Sequence, residues 1–340
     1  MNRELLNGII AALEGQASAN FAASDVNEAA ISAILKEAGL SENVSARDLR
    51  QNEARIFALI EEAVDEILPK KLENLLGAYA EVKTFARDAE VVFNIEKIGK
   101  NRAKLTISKG ARGGVYRAAR LDSKYFSPTT TIQTVAVYVT LEELILGTMS
   151  LAELYANIVE GFQEIIYKET FNALASGVPA AGYNRIDGGA NMNTNKEGLA
   201  VAIDAVMPYV KQYGVPTIFG SYAAVNGLYN PLASSDGHIN NQDSMDIRNY
   251  GFVQLYKGVR VVELPNYLVD NGNDEWFYDP SYVFVIPSGI KPVKIALKGD
   301  LLIRRNEHVV GSEKWDAEKM IGVGLAMANN FAVIKLSDVK

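Results

Sequence analysis

Residues Ser150–Ser176 run SLAELYANIVEGFQEIIYKETFNALAS and set the expected shape of the subunit. Ser150 and Glu153 stand three apart, the spacing of a reciprocal helix cap between a hydroxyl and a carboxylate. Leu151, Leu154, Tyr155, Ile158, Phe162, Ile165 and Ile166 then recur at helical intervals, with Leu174 near the end, so they line one face. Gly177 and Pro179 stop the helix. About 26 residues at ~1.5 Å rise make a rod of roughly 40 Å. Such a rod suits an extended subunit, or else an internal helix of a larger α-rich domain.

Upstream, the chain turns basic. Residues 96–124 hold Lys97, Lys100, Arg102, Lys104, Lys109, Arg112, Arg117, Arg120 and Lys124 against Glu96 and Asp122, a local charge of +7 on a chain of −7. Residues 1–70, by contrast, carry −6. The basic segment is strand-like. Val91, Phe93 and Ile95 alternate with Val92, Asn94 and Glu96, and Leu105 and Ile107 with Thr106 and Ser108. Gly99, Lys100 and Asn101 make a turn between them. From Thr129 to Thr140 alternation resumes through Ile132, Val135, Val137 and Val139. The charge fits a solvated face or an arm that reaches out to acidic partners. Lys109–Gly114 lacks both the Lys-Ser/Thr ending of a phosphate loop and dinucleotide spacing. Gly110, Gly113 and Gly114 are therefore expected to give a flexible loop.

The first 80 residues read as helical. Asp25 with Glu28 caps a segment closed by Gly39, and Ser45 with Asp48 resembles a second cap. Leu49, Ile56, Leu59, Ile60, Ala63, Val64, Ile67 and Leu68 share one face, and Pro69 is expected to end or kink that helix. Beyond the rod, residues 178–196 read as a connection. Thr194 with Glu197 caps a helix to about Tyr213, closed by Gly214. Val215–Gly220 reads as a strand, and Ser221 starts a helix to about Tyr229. This order suggests a second, α/β lobe. Residues 231–248 read as loop. Strands are expected at Phe252–Tyr256, Val259–Leu264, Tyr282–Ile286, Val293–Leu297 and Leu301–Arg304, and from Lys319 through Phe331 to Leu336.

Composition excludes several chemistries. A chain of 340 residues holds one large domain or two to three small ones, and 48% apolar with 22% charged residues is ordinary for a folded soluble protein. It has no cysteine, hence no disulfide framework, thiolate metal site or thiol nucleophile. Its two histidines, His238 and His308, lack partners at metal-binding spacing. Asp243 with Asp246, and Asp270 with Asp274, lack the oxygen density of a calcium loop and read as turns. Glu61, Glu62, Asp65 and Glu66 read as a solvated helix face. Gly322 and Gly324 have no nucleotide-binding context. No cofactor, metal or catalytic residue is expected. An acidic chain is a poor dedicated DNA reader. No apolar run is long enough for a membrane span, and MNRELLNGIIAALEG is no signal peptide, so a cytoplasmic start is expected.

The order of these parts resembles the major capsid proteins of tailed bacteriophages, the Hong Kong 97-type fold, over roughly residues 76–340. The basic tongue from about Asp88 to Thr140 looks like that family's extended loop, Ser150–Ser176 like its spine helix, and residues 198–300 like its axial domain. Gly258, Val261, Val262 and Pro265 are similar to the family's Gly-x-x-Val-Val strand with its proline shifted. Phe277, Tyr278 and Asp279 before Tyr282–Ile286 resemble its aromatic strand. Arg304 and Arg305, then Trp315 to Lys335, resemble its closing strand. The resemblance implies an α+β fold in five parts: an N-terminal helical arm (1–80), an extended β loop with its flanks (81–140), a peripheral domain with the spine helix (141–197), an axial domain (198–300) and return strands (301–340). It implies a structural protein that assembles with itself into pentamers and hexamers of an icosahedral head around double-stranded DNA. Scaffold, portal and decoration proteins are the further partners it implies, with weak non-specific DNA contact and no membrane. The implied location is the virion, with assembly in the bacterial host cytoplasm. Lys97, Lys100, Arg102, Lys104, Lys109, Arg112, Arg117 and Arg120 would touch neighbouring subunits, and Gly110, Gly113 and Gly114 would let the loop change course. Two alternatives are an encapsulin-type shell that holds protein cargo and an α+β enzyme that uses an acidic or histidine site.

Overall fold

The computed structural model describes residues 46–95, 124–140, 151–176, 192–194, 196–226, 228, 241–269, 275–289, 291–309, 312–326 and 331–339. Helix α1 (Ala46–Leu76) begins one residue after Ser45 and continues past Pro69 instead of ending there. That proline removes one intrahelical hydrogen bond, a cost of ~3 kcal/mol. Leu68, Leu72 and Leu76 are all fully buried, and each such side chain contributes ~1.5–3 kcal/mol. Burial on both sides of Pro69 therefore outweighs the break that the sequence suggested. The segment Asp25–Gly39 lies outside the described residues.

Two sheets organise the rest. The first has the order β1 (Ala80–Phe85), β10 (Val293–Val309), β11 (Ser312–Leu325), β4 (Thr131–Thr140). β1 runs parallel to β10, while β10–β11 and β11–β4 are antiparallel. Helix α1 and helix α2 (Leu151–Ser176) both pack on this sheet. α2 has the length and start expected from its periodicity. Its buried surface is wider than expected, for Val159, Tyr167 and Phe171 join Ile158, Phe162, Ile166 and Leu174. The reason is that α2 also meets the second sheet: the Phe171 ring lies 4.1 Å from that of Tyr278 and 5.4 Å from that of Phe284.

The second sheet has the order β5 (Met192–Thr194), β12 (Ala332–Leu336), β9 (Tyr282–Pro287), β6 (Pro216–Gly220), β8 (Val259–Glu263), β7 (Leu255–Tyr256). Its central strands are covered on both sides. Phe284 and Ile286 of β9 join the core shared with α1 and α2, and Val283 and Val285 join a core under helix α3 (Leu199–Val210). Alternate side chains pointing to two interiors explain why Tyr282–Pro287 reads as one apolar run instead of alternating.

Several local expectations are corrected. Thr194 pairs with Leu336 in β5, within the presumed connection, and does not cap a helix. α3 starts after Gly198, with no side-chain cap, and ends at Val210. The carboxylate of Asp338 instead accepts from the Lys196 N–H at 3.0 Å. Ser221 does cap a helix, accepting from the Ala224 N–H, but α4 (Tyr222–Val225) is a single turn. Helix α5 (Asn241–Tyr250) stands where loop was expected, and it carries Asp243 and Asp246, both buried. β10 runs across residue 300, where two separate strands, Val293–Leu297 and Leu301–Arg304, were expected.

Candidate functional site

The basic tongue springs from a two-stranded ladder. β2 (Phe93–Ile95) pairs antiparallel with β3 (Lys124–Phe126), with Phe93 opposite Phe126. The residues expected to make intersubunit contact, Lys97, Lys100, Arg102, Lys104, Lys109, Arg112, Arg117 and Arg120, lie outside the described residues, as do Gly110, Gly113 and Gly114. The described structure gives the root from which they leave.

Each limb of that root is fastened to the first sheet. On the entering limb, Phe93 is fully buried in a small cluster with Val91 and Ala296. Phe85 meets it edge-on at 5.5 Å, and the Lys83 ammonium lies 5.2 Å from its ring centre. An aromatic edge contact and a cation over the ring face add to the apolar burial. On the leaving limb, Phe126–Thr130 packs against Gly322 and Gly324 of β11. A Cβ on Gly324 would come within 2.8 Å of Phe126 Cζ, and one on Gly322 within 2.9 Å of Thr130 Cγ2. The glycine pair that had no nucleotide context thus has a packing role: it leaves room for the returning limb. Further along β4, Gln133 Nε2 donates to Glu169 Oε1 of α2 at 2.8 Å.

Beside this root stands a carboxylate clasp that the sequence did not disclose. Glu61 and Asp65, expected to be merely solvated, hold the bulge in β10 between Lys298 and Leu302. Glu61 Oε1 accepts from the Ile303 N–H at 2.6 Å and Asp65 Oδ2 from the Leu301 N–H at 2.9 Å. Gly299, at φ +71°, makes the turn within the bulge. The ammonium of Lys319, with only 3% of its side chain exposed, pairs with Asp65 and donates to the Gly299 carbonyl at 3.1 Å. Glu62 is exposed as expected, and Glu66 makes a long surface pair with Lys70 at 3.6 Å. These carboxylates and Asp300 line an open cleft of about 530 Å³. Burial pushes the Glu61 carboxyl up against the pull of the Ile303 N–H, and Asp65 and Asp300 add to the rise. Glu81 behaves oppositely: burial pushes it up, but hydrogen bonds from Lys294 and Lys83 prevail and lower it.

What this arrangement does is mechanical: it fixes where the chain leaves the first sheet before the basic segment and where it returns after it. Among the described residues no three His, Asp or Glu side chains gather as metal ligands, and no helix is long and apolar enough to cross a membrane. Asp246 serves the fold by accepting from the Gln254 N–H at 3.4 Å. His308 stands in β10, whereas His238, Asp270 and Asp274 lie outside the described residues.

The family described as "SPbeta prophage-derived putative capsid protein YonB" matches residues 3–335. The chain belongs to that capsid protein family. A search of curated proteins finds no match. Among solved structures, a chain of the satellite phage P4 procapsid, which includes the size determination (Sid) protein, is 11% identical. The alignment covers 82% of this chain and 92% of that one at a TM-score of 0.54. A chain of Microbacterium phage Oxtober96 is 14% identical over 77% and 90% of the two chains, at 0.48. The virus-like particle of Pyrococcus furiosus is 11% identical over 82% and 99%, at 0.47. The capsid protein has the Hong Kong 97-type fold that its sequence resembles, and it is a structural protein, a major capsid subunit of the bacteriophage kind.

Proposed function

We propose that copies of this capsid protein build pentamers and hexamers that close into an icosahedral head around double-stranded DNA, with the basic tongue as the strap between neighbours. In this proposal the tongue is the extended loop, residues 1–80 are the arm and the six-stranded lobe is the axial domain. The observation that carries it is the root. Phe93 and the Gly322–Gly324 pair fix both limbs of a segment of charge +7 on a body that is otherwise acidic. In this proposal Lys97, Lys100, Arg102, Lys104, Lys109, Arg112, Arg117 and Arg120 meet acidic surfaces of other copies. Each exposed ion pair is worth only ~0–1 kcal/mol. Repetition over a shell makes the whole stable while single contacts stay reversible.

Scaffold, portal and decoration proteins are the other partners of such a head, assembled in the bacterial cytoplasm. Contact with the packaged DNA is weak and salt-sensitive, since the surface is acidic outside the tongue; sub-micromolar duplex binding at physiological salt would contradict this. Membership of a prophage capsid family favours a phage head over an encapsulin-type compartment, and the same membership supports a role without catalysis. The test is electron microscopy of shells from wild type and from K97E/K100E/R102E/K104E. Wild type should close and the charge-reversed chain should not; equal yields of shells would refute the strap. In the same assay G113V/G114V should give aberrant or missized shells, and shells of unchanged size would remove those glycines from the account.

A further inference from the structure

Two cations beside the second sheet have no counter-charge. Arg260 of β8 and Lys291, in the connection from β9 to β10, make no ion pair among the described residues, and Glu263 near them is bonded to neither. Both line a cleft of about 610 Å³, together with the last turn of α1 and strand β6. Pockets for small organic molecules span ~300–1,000 Å³. Arg260 shares its face of β8 with Val262, and β6 sets Thr217 and Phe219 opposite these two. Phe219 and Ile286 belong to the core shared with α1 and α2, and Val262 packs on it, so the cleft has an apolar lining with charge at its rim. The last carbonyls of α1 are answered locally: Glu73 accepts from the Gly77 N–H at 2.8 Å and Leu76 from the Tyr79 N–H at 3.0 Å. They do not call for the two cations.

Two solvated cations alone would not make a site, but a third group joins them. Tyr79 lines the same cleft, is only 4% exposed, and its hydroxyl has no hydrogen-bond partner among the described residues. The hydroxyls of Tyr167 and Tyr278, its neighbours, donate to the Pro265 and Leu264 carbonyls at 3.2 and 2.8 Å. A buried polar group left without a partner calls for one from outside. Burial holds the Tyr79 phenol well above its ordinary range, so it is a donor at neutral pH. We propose that this cleft binds a small organic anion with an apolar body, its anionic group held by Arg260 and Lys291 and an oxygen accepting from the Tyr79 hydroxyl. A nucleic-acid strand needs a row of cations along an open surface, and here there are two with a carboxylate near them. A metal ion needs gathered oxygen ligands, and none gather among the described residues. A purely apolar ligand would leave both cations and the hydroxyl unanswered. Because α1 and β10 pack in the first sheet's layer while β6 and β8 belong to the second, a bound anion ties the two together and stabilises the chain. This inference goes beyond the assembly reading and does not depend on it.

The probe is anilinonaphthalene sulfonate, an aromatic body with one anionic group, titrated into the full chain and followed by its fluorescence. N-phenylnaphthylamine, the same body without the sulfonate, is the neutral comparison. The expected result is one saturable site per chain, with affinity lower by about tenfold or more in R260Q/K291Q and for the neutral probe. K211Q/R248Q removes two exposed cations elsewhere, at the end of α3 and in α5, and should bind as wild type does. Y79F should bind roughly two- to tenfold more weakly yet keep or raise the thermal midpoint, since the hydroxyl it deletes bonds nothing in the free chain. A78W fills the cleft from an exposed position in its lining and should abolish binding. Equal affinity in wild type and R260Q/K291Q, equal loss in the two glutamine pairs, or equal affinity for the two probes overturns the proposal. If R260Q/K291Q does not fold by circular dichroism, Y79F and A78W decide, and unchanged binding in both overturns it. None of these readings uses shells, so failure of the chain to assemble refutes the assembly reading alone.

Discussion

Replacing Asp65 with alanine should weaken the body of the subunit more than its place in a surface-facing acidic run suggests. The ammonium of Lys319 is almost wholly enclosed, and its partners are Asp65 and the Gly299 carbonyl. Removing one partner of a buried ion pair costs ~3–5 kcal/mol, because the other charge is left desolvated and unanswered. Asp65 is 23% exposed, so water screens part of that loss and the low end, ~3 kcal/mol, applies. The Leu301 N–H also loses its acceptor, which adds ~1 kcal/mol. The expected destabilisation of D65A is therefore about 3–4 kcal/mol, measured by urea unfolding of free subunits. The cycle is completed with K319M and D65A/K319M. Methionine removes the orphaned cation while keeping an apolar stem of similar length, so the double variant should recover ~2 kcal/mol or more relative to D65A. A loss below ~1 kcal/mol for D65A, or a double variant no more stable than the single, would refute a buried clasp between α1 and the β10–β11 hairpin.

Glu81 and Glu61 should respond to acid in opposite ways. The Glu81 carboxyl is lowered in the fold, so its contribution is complete above the unfolded value near 4.5 and disappears as pH falls through the lower folded value. E81Q should thus be less stable than wild type at pH 7 and converge with it in strong acid. Glu61 is raised, so its protonation favours the fold as pH falls toward 4.5. E61Q should be neutral or stabilising at pH 7, and the reverse order of the two variants in thermal unfolding would contradict these assignments. G324V places atoms where Phe126 now lies, and should cost ~1–3 kcal/mol and reduce shell yield; an unaffected thermal midpoint would count against the packing role. Y167F deletes the 3.2 Å hydrogen bond to the Pro265 carbonyl and should cost ~0.5–1.5 kcal/mol in the same unfolding assay.

The parts of the fold with local causes could be read before the structure. The period of Ile158, Phe162 and Ile166 gave α2, and alternation gave β2 and β4. What escaped depended on remote partners. Asp65 finds the Leu301 N–H 236 positions away and Lys319 254 positions away, so nothing near Asp65 in sequence marks it as structural. Likewise, Gly322 and Gly324 looked purposeless because the limb that needs their missing side chains, Phe126–Thr130, belongs to another part of the chain. Helix α5 was hidden by its composition, since Asp243 and Asp246 are buried on a helix otherwise rich in polar residues. Gly299 and Asp300 resembled a break between two strands, whereas they form a bulge within one. For the site itself, the charge of the tongue was legible and its anchorage was not, because Phe93 acquires its role only against Ala296 and Phe85.

The central claim, that this chain builds a closed shell from copies of itself, is tested most directly by negative-stain electron microscopy of the purified wild-type protein expressed alone in a bacterium. The account predicts closed polyhedral particles hundreds of ångströms across, whereas a single compact chain of this length has a radius of gyration near ~20 Å. A field of small uniform particles that persists as protein concentration is raised would contradict it.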